Sequence, residues 1–259
     1  MRSWMLRAVF VLQAMVTTAA LAVADDDQQS LAQRARFLWD ARVQGNWATE
    51  YRFLAPADRG STTTLEKFVA YRRDKGPFRY LSAKVGEVAT LNDIGWVEVK
   101  YEIRPAAFPE LRARQMQVWD HWQKRDGEWY PMARAEREQV HALPPNKRSA
   151  AEETALGTRV EEFWKAQEGG ERARAYGYLD PAYQASTPEK EFVDRKPAHT
   201  YLSHRLEWVE VVGDRGRAKV ASTRTSQDAS PAKAAPENAT IIEHWVKVKG
   251  QWYRVPDPS

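Results

Sequence analysis

Two histidines, His121 and His244, hold the same place in two similar stretches of the chain. His121 begins the segment HWQKRDGEWY and His244 begins HWVKVKGQWY, and six of these ten positions are identical. Side chains alternate between the two faces of a strand, so His244 shares its face with three apolar residues, Ile242, Val246 and Val248. Because that face is the more apolar one, we expect both histidines to point into the protein.

A histidine in that position is suited to proton transfer, because its charge changes near neutral pH. Each could act as a general base or donate a hydrogen bond to a ligand. The alternative is a structural histidine whose ring is hydrogen-bonded within the protein. The pattern shows no carboxylate partner for either ring, and a single histidine is not an acid–base pair. The sequence therefore favours the structural role and assigns no catalytic residue.

Other motifs that carry chemistry do not occur in the sequence. The chain has no cysteine, which excludes disulfides, thiolate metal sites and a cysteine nucleophile. His199 and His204 are five residues apart in a predicted strand, so they face opposite sides and cannot share a metal ion. No phosphate-binding glycine loop, His-Glu-x-x-His motif or nucleophile elbow is found. We therefore expect no metal and no cofactor.

The charge balance gives no indication of a nucleic-acid or membrane-surface partner. The chain has 39 basic and 35 acidic residues, and Arg2 and Arg7 lie in an N-terminal segment that we expect to be removed. A mature chain so close to neutral has no electrostatic footprint for nucleic acid or anionic lipid. With 43% hydrophobic and 11% aromatic residues, the chain has ample apolar area for a folded core.

Residues 1–24 have the three parts of a secretory signal peptide. Arg2 and Arg7 form a basic head, residues 8–21 are mostly apolar, and residues 22–24 (Ala-Val-Ala) form a small-x-small cleavage site. The apolar run is shorter than the ~20 residues that a membrane-spanning helix needs. These features predict cleavage after Ala24, a periplasmic or secreted location in a bacterium, and no membrane span in the mature chain.

The rest of the chain is a tandem repeat. Residues 31–57 align without gaps on residues 156–182 with ten of 27 positions identical, and later matches keep the same order. Between the copies, residues 134–153 are charged and contain two adjacent prolines, which suits a linker. The pattern predicts a first domain over residues 28–133, a linker over 134–153 and a second domain over 154–259.

Each copy shows helical periodicity first and strand periodicity afterwards. Apolar residues recur at helical spacing at the start of both copies: Leu31, Ala35, Leu38 and Trp39, and then Leu156, Val160, Phe163 and Trp164. Shorter helices and four alternating strands follow in each copy. The turns Asn92–Gly95 and Gly213–Gly216 join the first two strands, with glycine supplying the positive φ. This order predicts an α+β fold with helices on one sheet face.

Amphipathic helices followed by a curved antiparallel sheet, ending in a hairpin of the form His-Trp…Gly-x-Trp-Tyr, resemble the nuclear transport factor 2-like (NTF2-like) superfamily. This superfamily is also described as SnoaL-like, or as a cystatin-like α+β cone. The resemblance covers about residues 30–133 and 155–255. It implies two tandem cone-shaped domains, each with N-terminal helices packed on the sheet and a pocket between the first helix and the concave sheet face.

Within those implied pockets, the candidate ligand-binding residues are His121, His244, Trp39, Trp164, Tyr51 and Tyr176. The ketosteroid isomerases of this superfamily need a tyrosine on the first helix and two well-placed aspartates in the cone. Here the first helices carry Trp39 and Trp164, and the strands offer only Asp120 near the right depth. This departure argues against an isomerase-like enzyme.

Two functions are open from the sequence alone. The first is an exported, non-catalytic protein whose paired cones bind another envelope protein. Four tryptophans without a counterpart in the other copy are candidates for copy-specific contacts: Trp47, Trp96, Trp119 and Trp208. The second is a pocket for a small apolar ligand, or a SnoaL-like enzyme with a pocket histidine as general base. The missing catalytic pattern favours the first function.

Overall fold

The computed structural model describes residues 26–59, 63–227 and 235–256. Residues 1–24, for which the sequence predicts a signal peptide, lie outside these ranges. The chain divides into two compact units, Met1–Pro144 and Pro145–Ser259, and each contains helices and a four-stranded sheet. In the described residues, no helix is both long enough and apolar enough to cross a membrane.

The first unit begins with helices and continues into its sheet. The helices are α1 (residues 26–43), α2 (Trp47–Arg52), α3 (Leu65–Lys75) and, after the sheet, α4 (Arg134–Arg137), with a short 3₁₀ helix at Pro56–Asp58. The strands are β1 (Phe78–Leu91), β2 (Ile94–Pro105), β3 (Arg114–Arg125) and β4 (Glu128–Pro131). They pair in chain order, and every pair is antiparallel.

The second unit also has helices before its sheet. After a 3₁₀ helix at Pro145–Lys147, the helices are α5 (Ala150–Glu168), α6 (Arg172–Tyr176), α7 (Pro181–Ser186) and α8 (Glu189–Asp194). The strands are β5 (His199–Val212), β6 (Arg215–Ser226), β7 (Glu237–Val248) and β8 (Gln251–Val255). They too pair antiparallel in chain order. Each unit is therefore α+β, as the periodicity predicts.

In each unit the first long helix packs on the sheet through a stripe of fully buried side chains. Leu31, Ala35 and Leu38 of α1 are 0% exposed, as are Leu156 and Val160 of α5. These residues recur every three or four positions, so they share the helix face that meets the sheet. Each stripe joins a core with two tryptophans of the last two strands: Trp122 and Trp129, or Trp245 and Trp252.

A glycine at the start of the second strand lets the helix approach the sheet closely. A Cβ added at Gly95 would lie 2.3 Å from Leu31 Cδ2, and the corresponding Gly216 has Leu156 Cδ2 at 2.5 Å. The positive φ of the neighbouring turn belongs instead to Asn92 (φ 53°) in the first unit and to a glycine in the second. The prediction of a glycine with positive φ is thus wrong for the first hairpin. The close approach of Leu31 on α1, which leaves no room for a Cβ, explains why residue 95 is a glycine.

The first strand of each sheet is bent at two places. In β1 the register with β2 shifts just before Ser82 and again before Val88. In β5 the register with β6 shifts just before Ser203 and again before Trp208. Bulges of this kind bend a strand and increase its twist. Each sheet is therefore curled.

Candidate functional site

The centre of each unit holds a carboxylate from the third strand of the sheet and a tryptophan from the first long helix. Trp39 Nε1–H donates to Asp120 Oδ2 over 2.8 Å, and Trp164 Nε1–H donates to Glu243 Oε2 over 3.1 Å. The two tryptophans are 3% and 2% exposed. A carboxylate removed from water without hydrogen-bond partners is costly, so the indole donor stabilises the acid at this depth.

Each of these carboxylates also has an arginine, which comes from a different element in each unit. In the first unit, Arg42 of α1 lies 3.9 Å from Asp120. In the second unit, Arg254 of β8 donates to Glu243, whose side chain is 1% exposed. Both carboxylates are therefore engaged by protein donors. The arrangement is suited to holding the helix on the sheet rather than to transferring a proton to a substrate.

An aromatic ring stacks on the tryptophan in each unit. The ring centroids of Trp39 and Tyr101 are 4.8 Å apart with an interplanar angle of 29°, and those of Trp164 and His204 are 5.7 Å apart with an angle of 23°. A tyrosine of the first strand meets each tryptophan edge-on. Such rings bring large apolar areas together in favourable geometries. They fill the space between helix and sheet where the resemblance implies a pocket.

The ring that stacks on the tryptophan comes from the second strand of the sheet in the first unit and from the first strand of the sheet in the second unit. Tyr101 on β2 is paired across the sheet with Ala83 on β1. In the second unit, His204 on β5 is paired with Ser222 on β6. The large side chain is thus on the second strand in the first unit and on the first strand in the second unit, and a small side chain lies opposite it in each case. The exchange keeps a large ring packed against the tryptophan, which is what close-packed cores require.

The structure reverses the orientation predicted for His244. The face of β7 that meets the core carries Ile241, Glu243 and Trp245, and Trp245 is 1% exposed. His244 therefore lies on the other face and is exposed. The prediction counted three apolar side chains beside His244, but size outweighs number here, because one buried tryptophan removes about 150–250 Å² from water.

His121 also faces away from the core of its sheet, although it is buried. Its Nε2 lies 3.0 Å from the backbone carbonyl oxygen of His141, and Trp96 Nε1–H donates to the same oxygen over 2.9 Å. His121 is 9% exposed and Trp96 is 2% exposed. The segment that follows β4 thus covers this side of the first sheet. Both rings serve to hold that segment in place, and the expected inward orientation of His121 is wrong.

Each candidate tyrosine holds a threonine that lies just before a helix of its unit, α3 in the first unit and α8 in the second. Tyr51 donates its hydroxyl proton to the carbonyl oxygen of Thr63, and Tyr176 donates to that of Thr187, both over 2.8 Å. In each case a phenylalanine ring lies 5.6 Å from the tyrosine ring. The same contact in both units points to a requirement of the fold, because the two copies otherwise differ at most positions.

The first unit contains a buried ion network. Glu50 of α2 is 5% exposed and accepts hydrogen bonds from Arg42 Nε over 2.8 Å and from Arg72 Nε and Nη2 over 2.9 and 3.0 Å. Burial by itself lowers the pKa of Arg42, but the carboxylates of Glu50 and Asp120 outweigh it and hold that pKa above its usual value. The network therefore fixes two guanidinium groups at the end of α1.

Sequence reasoning missed these buried acids as members of a site. Because it pointed His244 inward, it placed the neighbouring Glu243 on the outer face, and it noted Asp120 only for its depth. A usable signal was present, because an acid stands immediately before the His-Trp pair in both copies. Glu50 had no such signal, since the second copy has Ala175 in its place. Among the described residues, no group of three or more histidine, aspartate or glutamate side chains is placed to hold a metal ion.

A further pair of acids lies near the start of α5. Glu210 of β5 is 2% exposed and accepts a hydrogen bond from Arg217 Nη2 over 2.6 Å. Glu153 lies 3.7 Å from Arg148. Burial raises the pKa of Glu153, and the charge of Glu210 adds to this rise, while Arg148 opposes it only in part. Glu153 therefore holds a proton more tightly in the folded chain than an exposed glutamate does.

The variant Glu153→Gln is expected to gain stability relative to the unmodified chain as the pH rises. With a raised folded-state pKa, the stability that protonation adds is complete below the unfolded pKa and is lost as the pH rises through the folded pKa. Glutamine has no such loss. The difference in unfolding free energy between the variant and the unmodified chain should therefore grow as the pH rises above about 4, where an exposed glutamate loses its proton.

Urea unfolding across this pH range measures that difference. Glu171→Gln is the matched control, because the Glu171 side chain is 50% exposed. A difference for Glu153→Gln that stays constant or shrinks with rising pH would contradict the raised pKa.

Comparisons with known proteins give several similar solved structures. No family model matches the sequence, and no curated protein matches it. One similar structure is a SEC-C motif containing protein from Rhodopseudomonas palustris, 14% identical over 43% of this chain and 80% of that one, with a TM-score of 0.33. Another is an Ntf2 like protein involved in plasmid conjugation, 13% identical over 86% of this chain and 94% of that one, with a TM-score of 0.28. At these TM-scores the α+β assignment rests on the elements of the chain itself.

Proposed function

We propose that this chain is an exported, non-catalytic binding protein of the bacterial envelope, made of two NTF2-like cones whose outer surfaces bind another envelope protein. One observation carries the proposal, namely that rings and ion pairs occupy the space between helix and sheet in both units. Trp39 and Trp164 lie there at 3% and 2% exposure, with their N–H groups committed to carboxylates. A ligand in either cone would have to displace side chains from a close-packed interior.

The positions of the two histidines support a non-catalytic role. His121 interacts with the backbone carbonyl of His141, and His244 is exposed on the outer face of its sheet. A general base must reach the proton that it removes. The alternative is an apolar-ligand protein or a SnoaL-like enzyme, and the enzyme needs a histidine that faces the interior as its general base. Neither His121 nor His244 has that orientation. His204 does face Trp164, but both of its ring nitrogens lie within hydrogen-bond distance of protein carboxylates, those of Glu168 and Glu161.

Export is proposed from the N-terminal sequence. The basic head, the apolar run and the cleavage motif of residues 1–24 are what a signal peptidase substrate requires. Processing after Ala24 would deliver a chain that starts at Asp25 to the periplasm or the exterior.

Exposed apolar side chains are the places where a partner protein would gain most from binding. Phe37 and Phe108 in the first unit are both 56% exposed, and Leu202 in the second unit is 52% exposed. Large apolar side chains in water favour association when a complementary surface covers them.

The test is photo-cross-linking of the full chain in its own host. A benzophenone amino acid is placed at Phe37, Phe108 or Leu202, and at Lys190 as a matched control that is 87% exposed but charged. We expect a processed chain beginning at Asp25 in the envelope fraction. At one or more apolar positions we expect a single discrete cross-linked polypeptide that is absent at Lys190.

Two results would count against this function. An unprocessed chain found in the cytoplasm would refute export. A His121→Ala/His244→Ala double variant that folds and still cross-links, but loses the cellular phenotype of the unmodified chain, would refute the non-catalytic role.

A further inference from the structure

A groove of about 700 Å³ opens in the first unit beside the end of α1, the end of α3 and the start of β1. Its size is in the range of small-molecule sites in proteins. The groove lies outside the ring-filled centre of the cone. Five basic side chains line it, Arg42, Arg72, Arg73, Lys75 and Arg79, and Asp74 is the one acidic residue in the lining. A concave surface of one sign attracts ligands of the opposite charge.

The guanidinium group of Arg72 is fixed in the groove before any ligand arrives. Its Nε and Nη2 donate to the two carboxylate oxygens of Glu50, and its Cζ lies 4.7 Å from the centroid of the Trp47 ring. Its Nη1 has no hydrogen-bond partner among the described residues, so this N–H group is available to a ligand. A donor that is already ordered loses little entropy when it binds an acceptor.

Two further cations at the groove are not used by the fold. Lys75 and Arg79 are exposed, and the side chain of neither forms a hydrogen bond or an ion pair within the described chain. By contrast, the exposed Arg73 is paired with its neighbour Asp74. Lys75 and Arg79 can therefore turn toward an anion without breaking an existing contact. Charge-assisted hydrogen bonds to carboxylate or phosphate are the stronger class of hydrogen bond in proteins.

The second unit shows that the fold does not need this arrangement. It has Gln167 where the first has Arg42, and Ala175 where the first has Glu50. It also has Thr200 in place of Arg79. A buried ion network is costly to assemble, and apolar or neutral residues can replace one without loss of stability. The network in the first unit is therefore best explained by what it does for the groove, namely to hold Arg72 and Arg42 at its wall.

We infer that this groove binds a small organic anion, a carboxylate or a phosphate monoester carried on a planar or apolar body. The anionic group would contact Arg72 Nη1, Lys75 and Arg79. The body would lie against the aromatic side chains of the lining, among them Trp47 and Tyr80. This site belongs to the first unit alone and does not depend on export or on a partner protein.

The test uses the purified chain labelled with 5-fluorotryptophan and followed by ¹⁹F NMR. Trp47→Phe identifies the Trp47 signal, and phenyl phosphate, benzoate and the neutral benzyl alcohol are titrated in turn. We expect phenyl phosphate, benzoate or both to shift the Trp47 signal with saturation, and benzyl alcohol to leave it in place. Lys75→Gln/Arg79→Gln should weaken anion binding at least about tenfold, because two charge-assisted contacts are lost.

The matched control is Lys190→Gln/Arg205→Gln, which removes the same charge from exposed positions of the second unit. It should leave the affinity unchanged. Three results would overturn the inference: no saturable shift of the Trp47 signal with either anion, equal binding of benzyl alcohol, or an equal loss of affinity in the control variant. Since the purified chain is used, these results are independent of the cross-linking in the host.

Discussion

Replacing Arg254 by methionine is expected to lower the unfolding free energy of the second unit by about 3–5 kcal/mol. Arg254 donates to Glu243, whose side chain is 1% exposed. Without the guanidinium group, a carboxylate enclosed by protein loses its opposite charge and cannot regain water. Methionine has an apolar side chain of similar length but no guanidinium group. The loss therefore includes the cation–π contact of Arg254 Cζ, which lies 5.3 Å from the centroid of the Phe163 ring, as well as the ion pair.

A second substitution separates the charge effect from any effect of packing. Glu243→Gln keeps an oxygen that accepts from Trp164 but removes the acid. The double variant Glu243→Gln/Arg254→Met should therefore recover most of the stability that Arg254→Met loses. Arg205→Met is the control for a surface arginine, since Arg205 is 73% exposed and paired with Glu207, and it should cost less than about 1 kcal/mol.

Urea unfolding followed by circular dichroism measures the unfolding free energy of the unmodified chain, of Arg254→Met, of the double variant and of Arg205→Met. If the double variant were as unstable as Arg254→Met alone, the buried charge would not be the cause of the loss.

Removing the ring of His204 is expected to cost the second unit about 2–3 kcal/mol. His204 stacks on Trp164, and its Nδ1 and Nε2 lie 2.7 and 3.1 Å from carboxylate oxygens of Glu168 and Glu161. Alanine at this position leaves a gap beside the tryptophan and two acids without their shared partner. The first unit has alanine at the corresponding place and fills the gap with Tyr101 from the neighbouring strand.

The packing of the first unit can be transferred to the second by a paired substitution. Ser222 is directly opposite His204 across β5 and β6 and is 5% exposed. Ser222→Tyr alone should overpack this site and cost about 1–3 kcal/mol. In the double variant His204→Ala/Ser222→Tyr, the tyrosine enters the space that the histidine leaves.

We expect the double variant to be at least as stable as His204→Ala alone, which corresponds to a coupling free energy of about 1 kcal/mol or more. A double-mutant cycle by urea unfolding measures this coupling. Strictly additive losses would show that the two strands do not compete for the same space, and would contradict the exchange described above. Ser222→Val alone is the control for a change of side chain without a ring.

The elements of both units could be predicted from the sequence because they depend on local periodicity. Apolar residues every three or four positions predict the helices, and alternation predicts the strands. The repeat adds a second, independent example of each pattern, so a chance match in one copy is checked by the other. For that reason the order of helices and antiparallel strands agrees with the structure in both units.

The inward face of each third strand could not be predicted in the same way. Alternation separates His244 from Glu243 and Trp245, but it does not say which group meets the helix. A count of apolar residues favoured the side with His244. Burial depends on contact area, and the shape of the helix stripe selects the side with the single large indole.

The counter-charges of the buried acids were also beyond the sequence. Asp120 is balanced by Arg42 from a helix about eighty positions earlier, and Glu243 by Arg254 from the next strand. Nothing in the spacing of these residues distinguishes them from exposed charges. Only the packing of the helix and the curl of the sheet decide which guanidinium group comes within reach.

The sequence by itself thus determined what is local or recurs in this protein: the element types, their order, and the similarity of residues 156–182 to residues 31–57. The tertiary structure alone decided which face of a strand is buried, which arginine balances which acid, and that Trp39 and Trp164 occupy the centres of the units. The reason is physical. Backbone periodicity is set by near neighbours in the chain, whereas burial and ion pairing are set by distances between residues that the chain keeps far apart.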